Sequence, residues 1–227
     1  GGHRGGQHAP RGRVRVPART LGALIVALLA LVPAIGSAEW RWPTDARGRL
    51  VPAEHFPCHE PRIEGRVLRP IGNPPNACGI AVPVEARALT GVRLSTPTRL
   101  SCPAARRVAR WLDAVVQPTA RRVLGTSVER LVVSGGYVCR TRNFEVGGPL
   151  SQHAFGRALD IAAFGLSDGR SVSILTDWGK GDAGIFLSLI HRQACAMFGT
   201  VLGPEADLQH RDHLHLDIAP RRRGYCR

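Results

Sequence analysis

The stretch "SQHAFGRALDIAAF" (151–164) joins a turn to a strand, and its reading decides the fold. From Arg157 onward, Leu159 and Ile161 flank Asp160. A strand sends successive side chains to opposite faces, so the aliphatic pair faces a core and the carboxylate faces away. Gly156, three residues after His153, marks the turn that enters the strand. "HLHLDI" (213–218) alternates in the same way: His213, His215 and Asp217 share one face, and Leu214, Leu216 and Ile218 the other. "VERLVVSGG" (128–136) reads as a strand entering a glycine turn, "GYVCR" (136–140) extends it, and "RSVSIL" (170–175) is a further strand. Upstream, Pro103 opens a helix with Val108, Trp111, Leu112 and Val115 at helical spacing. Pro118 is expected to end it, and a short second helix runs to Gly125. Residues 183–198 place Phe186, Leu189, Ile190, Ala194 and Met197 on one helical face. These elements predict a compact α+β domain over 101–227, with a mainly antiparallel sheet carrying the site and helices flanking it. Residues 39–100 are proline-rich, with "IGNPPNACG" (71–79) as turn and loop. They are expected to form an irregular extension, packed on the domain and stapled by cysteines.

The first 38 residues differ from the rest. Five arginines and no acid precede the apolar run "LGALIVALLALVPAIGSA" (21–38), which ends in small residues. Basic, apolar and small-residue parts in that order are those of an export signal cleaved near Ala38, the alternative being a short N-terminal anchor as the one link to a membrane. All six cysteines follow this run, and none forms a C-x-x-C pair. That favours three disulfides in an exported, periplasmic or cell-envelope protein over a thiolate metal site. The sequential pairing 58–78, 102–139 and 195–226 is expected. The formal net charge is +14, and removing the five leading arginines leaves +9 on residues 39–227. Such a surface suits an anionic polymer of the cell wall. Aromatic residues make up only 5% of the chain and are not interleaved with basic clusters, so no nucleic-acid platform is visible.

The chemistry lies in the histidines. Two imidazoles two residues apart on one strand face, with His153 and Asp160 from the earlier segment, supply nitrogen and oxygen donors for zinc with one position left open. The bland alternative is a hydrogen-bonded structural trio. Ser151 lacks a G-x-S-x-G context and is expected to orient the His153 turn rather than attack a substrate.

"SQHAFGRALDI" resembles the S-x-H-x-x-G-x-A-x-D-I segment of zinc peptidases of the D-Ala-D-Ala carboxypeptidase, lysostaphin and murein endopeptidase superfamily. The H-x-x-H-x-H spacing of His210, His213 and His215 is similar to the murein endopeptidase branch. More broadly, "ACGIAVPV", "LSCPAARRVARWLDAVVQP", "SGGYVCR", "LSQHAFGRALDIAAF", "CAMFGTVLGP" and "HRDHLHLD" resemble the bacterial extensin-like C-terminal domain over residues 55–227. The resemblance implies that His153, Asp160 and His215 hold zinc, and that His213 acts as base with His210 as a second histidine. It also implies that Arg140 lies near the substrate. The glutamate base of the carboxypeptidases has no counterpart near His215. The implied function is hydrolysis of amide bonds in peptidoglycan crosslinks, the alternative being a non-catalytic wall-binding or structural envelope protein that keeps the site.

Overall fold

The computed structural model describes residues 1–2, 41–74, 77–221 and 224–227. Apart from Gly1 and Gly2, the export or anchor segment lies outside the described residues. No helix among the described residues is long and apolar enough to cross a membrane. The described residues from 41 onward belong to one compact unit.

After two short 3-10 turns, Ala53–His55 and Pro57–His59, the chain lays down β1 (Ile63–Val67), β2 (Ile71–Gly72), β3 (Gly79–Ile80), β4 (Pro83–Leu89) and β5 (Val92–Ser101). The irregular reading of 39–100 therefore holds for 41–62 but not beyond, and β5 runs through the boundary expected at 100/101. The prolines misled because they sit where a ladder tolerates a missing N–H. Pro83 is the first residue of β4. Pro97 lies in the bulge between the pairs Ala88↔Arg93 and Ala86↔Thr98.

A helical segment follows β5: α1 (Cys102–Trp111), a wide π-turn (Leu112–Val116) and α2 (Gln117–Leu124). Ser101 caps it by accepting the Ala104 N–H, Pro103 sits in the first turn, and Gly125 ends it in the left-handed conformation. Pro118 does not stop the helix as expected. The Gln117 N–H reaches back to the Leu112 carbonyl, and this widened turn makes room for a ring that would clash in a regular α-helix.

The rest comprises β6 (Val128–Gly135), β7 (Ala158–Leu166), β8 (Ser171–Ser173), α3 (Ile174–Asp177), α4 (Gly181–Ala194), β9 (Thr200–Leu202), β10 (Leu214–Asp217) and β11 (Tyr225–Cys226). "GYVCR" does not extend β6. The chain turns away at Gly136, with the Tyr137 N–H bonded to the Arg99 carbonyl.

The main sheet runs β1-β4-β5-β6-β7-β10-β9-β11, with β8 beside the far half of β7. Its pairs are antiparallel except β5/β6 and β9/β11. The β5/β6 pair is parallel because the α1–α2 segment is its crossover. The mixed, mainly antiparallel class expected from the sequence stands. On one face, Trp111, Phe164, Phe186 and Phe198 form an aromatic cluster with neighbouring ring centroids 5.4–6.3 Å apart, and the Trp111 indole N–H donates to the Ile190 carbonyl.

The disulfides are Cys58–Cys102, Cys78–Cys139 and Cys195–Cys226. Only the last matches the sequential expectation. Pairing follows adjacency in space: Cys58 on its 3-10 turn lies against the start of α1, and Cys78 by the β2–β3 hairpin lies against the segment after β6. Three disulfides mark a chain exported to an oxidising compartment.

Candidate metal centre

The face of the sheet opposite the helices carries the histidines. In β10, Leu214 and Leu216 enter the core, while His215 and Asp217 point the other way. His215 pairs in register with Asp160 of β7. Directly opposed residues of an antiparallel pair present their side chains on the same face, so the register alone brings imidazole and carboxylate together.

His153 arrives from the 3-10 turn Gln152–Phe155. The Ser151 hydroxyl accepts the His153 backbone N–H at 3.3 Å, the orienting role expected of it. Gly156 closes the turn at φ +60, where a Cβ would run into Ile80. Gly135 has a parallel constraint, since a Cβ there would strike the Asp160 carboxylate.

His153, Asp160 and His215 are all buried, and their donor atoms lie within 4.8 Å of one another. His153 Nε2 is 3.1 Å from Asp160 Oδ2 and 3.2 Å from His215 Nδ1, and His215 Nδ1 is 2.9 Å from Asp160 Oδ1. A tetrahedral zinc with bonds near 2.0 Å separates its ligands by about 3.3 Å, so these atoms form one face of such a tetrahedron.

The outer nitrogens fix which atoms face inward. His153 Nδ1 lies 2.7 Å from the Gly136 carbonyl, which only accepts, so Nδ1 donates outward and Nε2 is the atom turned toward the trio. His215 Nε2 donates to Asp217 at 3.2 Å, leaving Nδ1 toward the trio. His153 Nε2, His215 Nδ1 and the Asp160 carboxylate thus converge on one another, a buried cluster that needs a shared proton or a cation to hold it together. The donor set and its spacing fit zinc, and the outward bonds to Gly136 and Asp217 are the supports that orient metal-binding histidines.

Without a metal, a proton takes part of the cation's place. Burial works against charge on His215, but hydrogen bonds to Asp160 and Asp217 push it up to about 9. Burial would likewise raise Asp160, yet its bonds with His153 and His215 hold it well below the usual carboxylate range.

The trio lies at the base of a cavity of about 470 Å³ that is also lined by His210, His213 and Arg140. The structure therefore gathers every residue singled out from the sequence. His213 Nε2 lies 3.8 Å from Asp160 Oδ1, while its Nδ1 donates to Asp212 at 2.8 Å. His210 donates from Nδ1 to Asp207 at 2.6 Å, and its ring is 5.1 Å from that of His213. Burial lowers the His210 pKa, and Asp207 opposes the shift. Asp207 and Asp212 escaped the sequence reading, although "DLQH" and "DH" place a carboxylate within local reach of each ring. Thr200, Arg221 and Tyr225 escaped it too, because only the folded chain brings them to the cavity. Trp178 lies apart from it, bonded to Glu205 and edge-on to His191.

No curated protein and no solved structure matches the chain. The profile of the family described as extensin-like protein C-terminus matches residues 62–227, from Arg62 just before β1 through the candidate metal centre to Arg227 just after β11, and the chain belongs to that family.

Proposed function

We propose that this protein is a zinc-dependent hydrolase of amide bonds in peptidoglycan peptide crosslinks, acting in the cell envelope. The observation that carries the reading is the triangle of three inward-facing donor atoms beneath an open cavity. His153, Asp160 and His215 would hold zinc there, and the metal would supply Lewis acidity toward the scissile carbonyl and lower the pKa of a water to roughly 7. His213 faces the same space with Nε2 free to accept, because Asp212 holds its Nδ1 proton. It takes the proton of the attacking water and delivers it to the leaving nitrogen as the C–N bond breaks. His210, held by Asp207, is a second acceptor beside it. Arg140 lies 4.8 Å from the Phe144 ring centroid and lines the cavity, placed to neutralise a substrate carboxylate or the developing oxyanion. The basic surface and the disulfides support an anionic wall polymer as partner.

The test is incubation of the zinc-loaded protein with crosslinked wall peptides, followed by mass spectrometry of the products. Cleavage is expected, with a loss of at least about 10²-fold in His213→Ala, the scale of general-base catalysis. Intact crosslinks with a fully zinc-loaded protein would overturn the reading.

One observation favours a second reading. At 3.8 Å from Asp160, His213 is near enough to become a fourth ligand and close the site, as in structural zinc centres. The protein would then grip the wall without cutting it. X-ray absorption separates the two: three protein ligands plus water for the hydrolase, three histidines plus a carboxylate for the closed site.

A further inference from the structure

The cavity wall holds more positive charge than its acids can answer. Asp160, Asp207 and Asp217 line it, and each is engaged by a histidine. Arg140, Arg142 and Arg221 line it as well, and among the described residues none of the three forms an ion pair with a carboxylate.

Arg221 is braced in place. Its Nε donates at 3.0 Å to the hydroxyl of Thr200, a buried residue of β9, and its guanidinium lies 5.8 Å from the Tyr225 ring centroid. Tyr225 belongs to β11, which is held on β9 by the Tyr225 N–H to Gly199 and Arg227 N–H to Val201 bonds and by Cys195–Cys226. With Nε engaged, the two terminal nitrogens remain for an anion, and a guanidinium fork matches a carboxylate.

The strand order places this arm relative to the metal centre. β6, β7, β10 and β9 are consecutive neighbours, and the trio draws on the middle two. Arg140 belongs to the segment that leaves β6 at Gly136 and runs beside the His153 turn, its carbonyl accepting the Ser151 N–H, while Arg221 is tied to β9, so the two arginines reach the cavity from different parts of the chain.

We propose that Arg221 is an anion-binding arm on the β9 side of the centre, so that the cavity takes a peptide-like substrate with a carboxylate on each side of the scissile bond. The position of that bond rests on the amide-hydrolase reading, whereas the anion arm does not.

The test uses succinyl-Ala-Ala, a peptide-like diacid with a carboxylate at each end. Its two monoacid relatives are acetyl-Ala-Ala and succinyl-Ala-Ala amide. Binding is measured by calorimetry on the purified protein with and without zinc, in the wild type and in Arg221→Gln and Arg221→Lys. The wild type is expected to bind the diacid at least tenfold more tightly than either monoacid. Arg221→Gln is expected to bring the diacid down to the level of one monoacid, with zinc content unchanged, and Arg221→Lys to recover part of the difference. Diacid binding by Arg221→Gln at wild-type strength would overturn the proposal. So would an equal loss against all three peptides, which would mark Arg221 as merely structural. If the hydrolase reading alone fails, wall crosslinks stay intact while this binding pattern remains.

Discussion

The two ends of the sheet use one alternation for different purposes. At the β1–β4–β5 end, the face away from the helices carries Arg66, Glu85 and Arg99, with Arg66 and Arg99 both reaching Glu85 and both largely in solvent. At the β7–β10 end, the same face carries Asp160, His215 and Asp217, all buried. The difference is cover. Loops carrying His153, His210 and His213 close over the second end, so its charged groups must satisfy one another or a metal. Charge placed on a strand becomes chemistry only where the rest of the chain removes water from it.

The hardest way to break this comparison is to remove a ligand. His215→Ala is expected to reduce zinc from near one per chain to near none while the far end keeps its structure, as read by metal analysis and circular dichroism. Opening Cys58–Cys102 by a double Cys→Ala change acts on the other end. It is expected to cost about 2–4 kcal/mol in denaturant unfolding with zinc stoichiometry unchanged. Asp217→Asn keeps the shape and weakens the support of His215, with an expected loss of about 10–100-fold in zinc affinity by competition titration.

pH sharpens the contrast further. In the metal-free protein His215 holds a proton up to about 9, so zinc must displace it. Each unit of pH lowered from 8 to 6 is therefore expected to weaken zinc binding by about tenfold, measured with a competing chelator. An affinity that does not change with pH would rule out His215 as a ligand. The smallest effect belongs to the exposed end: Glu85→Ala is expected to change stability by no more than about 1 kcal/mol and leave zinc binding alone.

The site was unusually legible because both of its strands carry aliphatic residues on one face and polar ones on the other. "RALDIAAF" and "HLHLDI" alternate strictly where it matters, so the face of Asp160, His215 and Asp217 follows from the 2-residue period. The first three main strands were hidden by the prolines. Pro83 and Pro97 argue against a strand until it is known that one begins β4 and the other sits in a bulge, and neither fact is local. Pro118 misled for a similar reason, since a widened turn just before it is a property of the packed helix.

The sequence by itself determined the residue types, their faces on β7 and β10, the helical start at Pro103 and end at Gly125, and the need for disulfides. These depend on local geometry and on the period of the strand. Only the tertiary structure decided that Cys58 meets Cys102, that His215 stands opposite Asp160 rather than one residue away, and that Arg221, bonded to Thr200 of β9, lines the cavity. Each depends on which distant segments lie side by side, and that is settled by burial of the shared core rather than by any short stretch of chain.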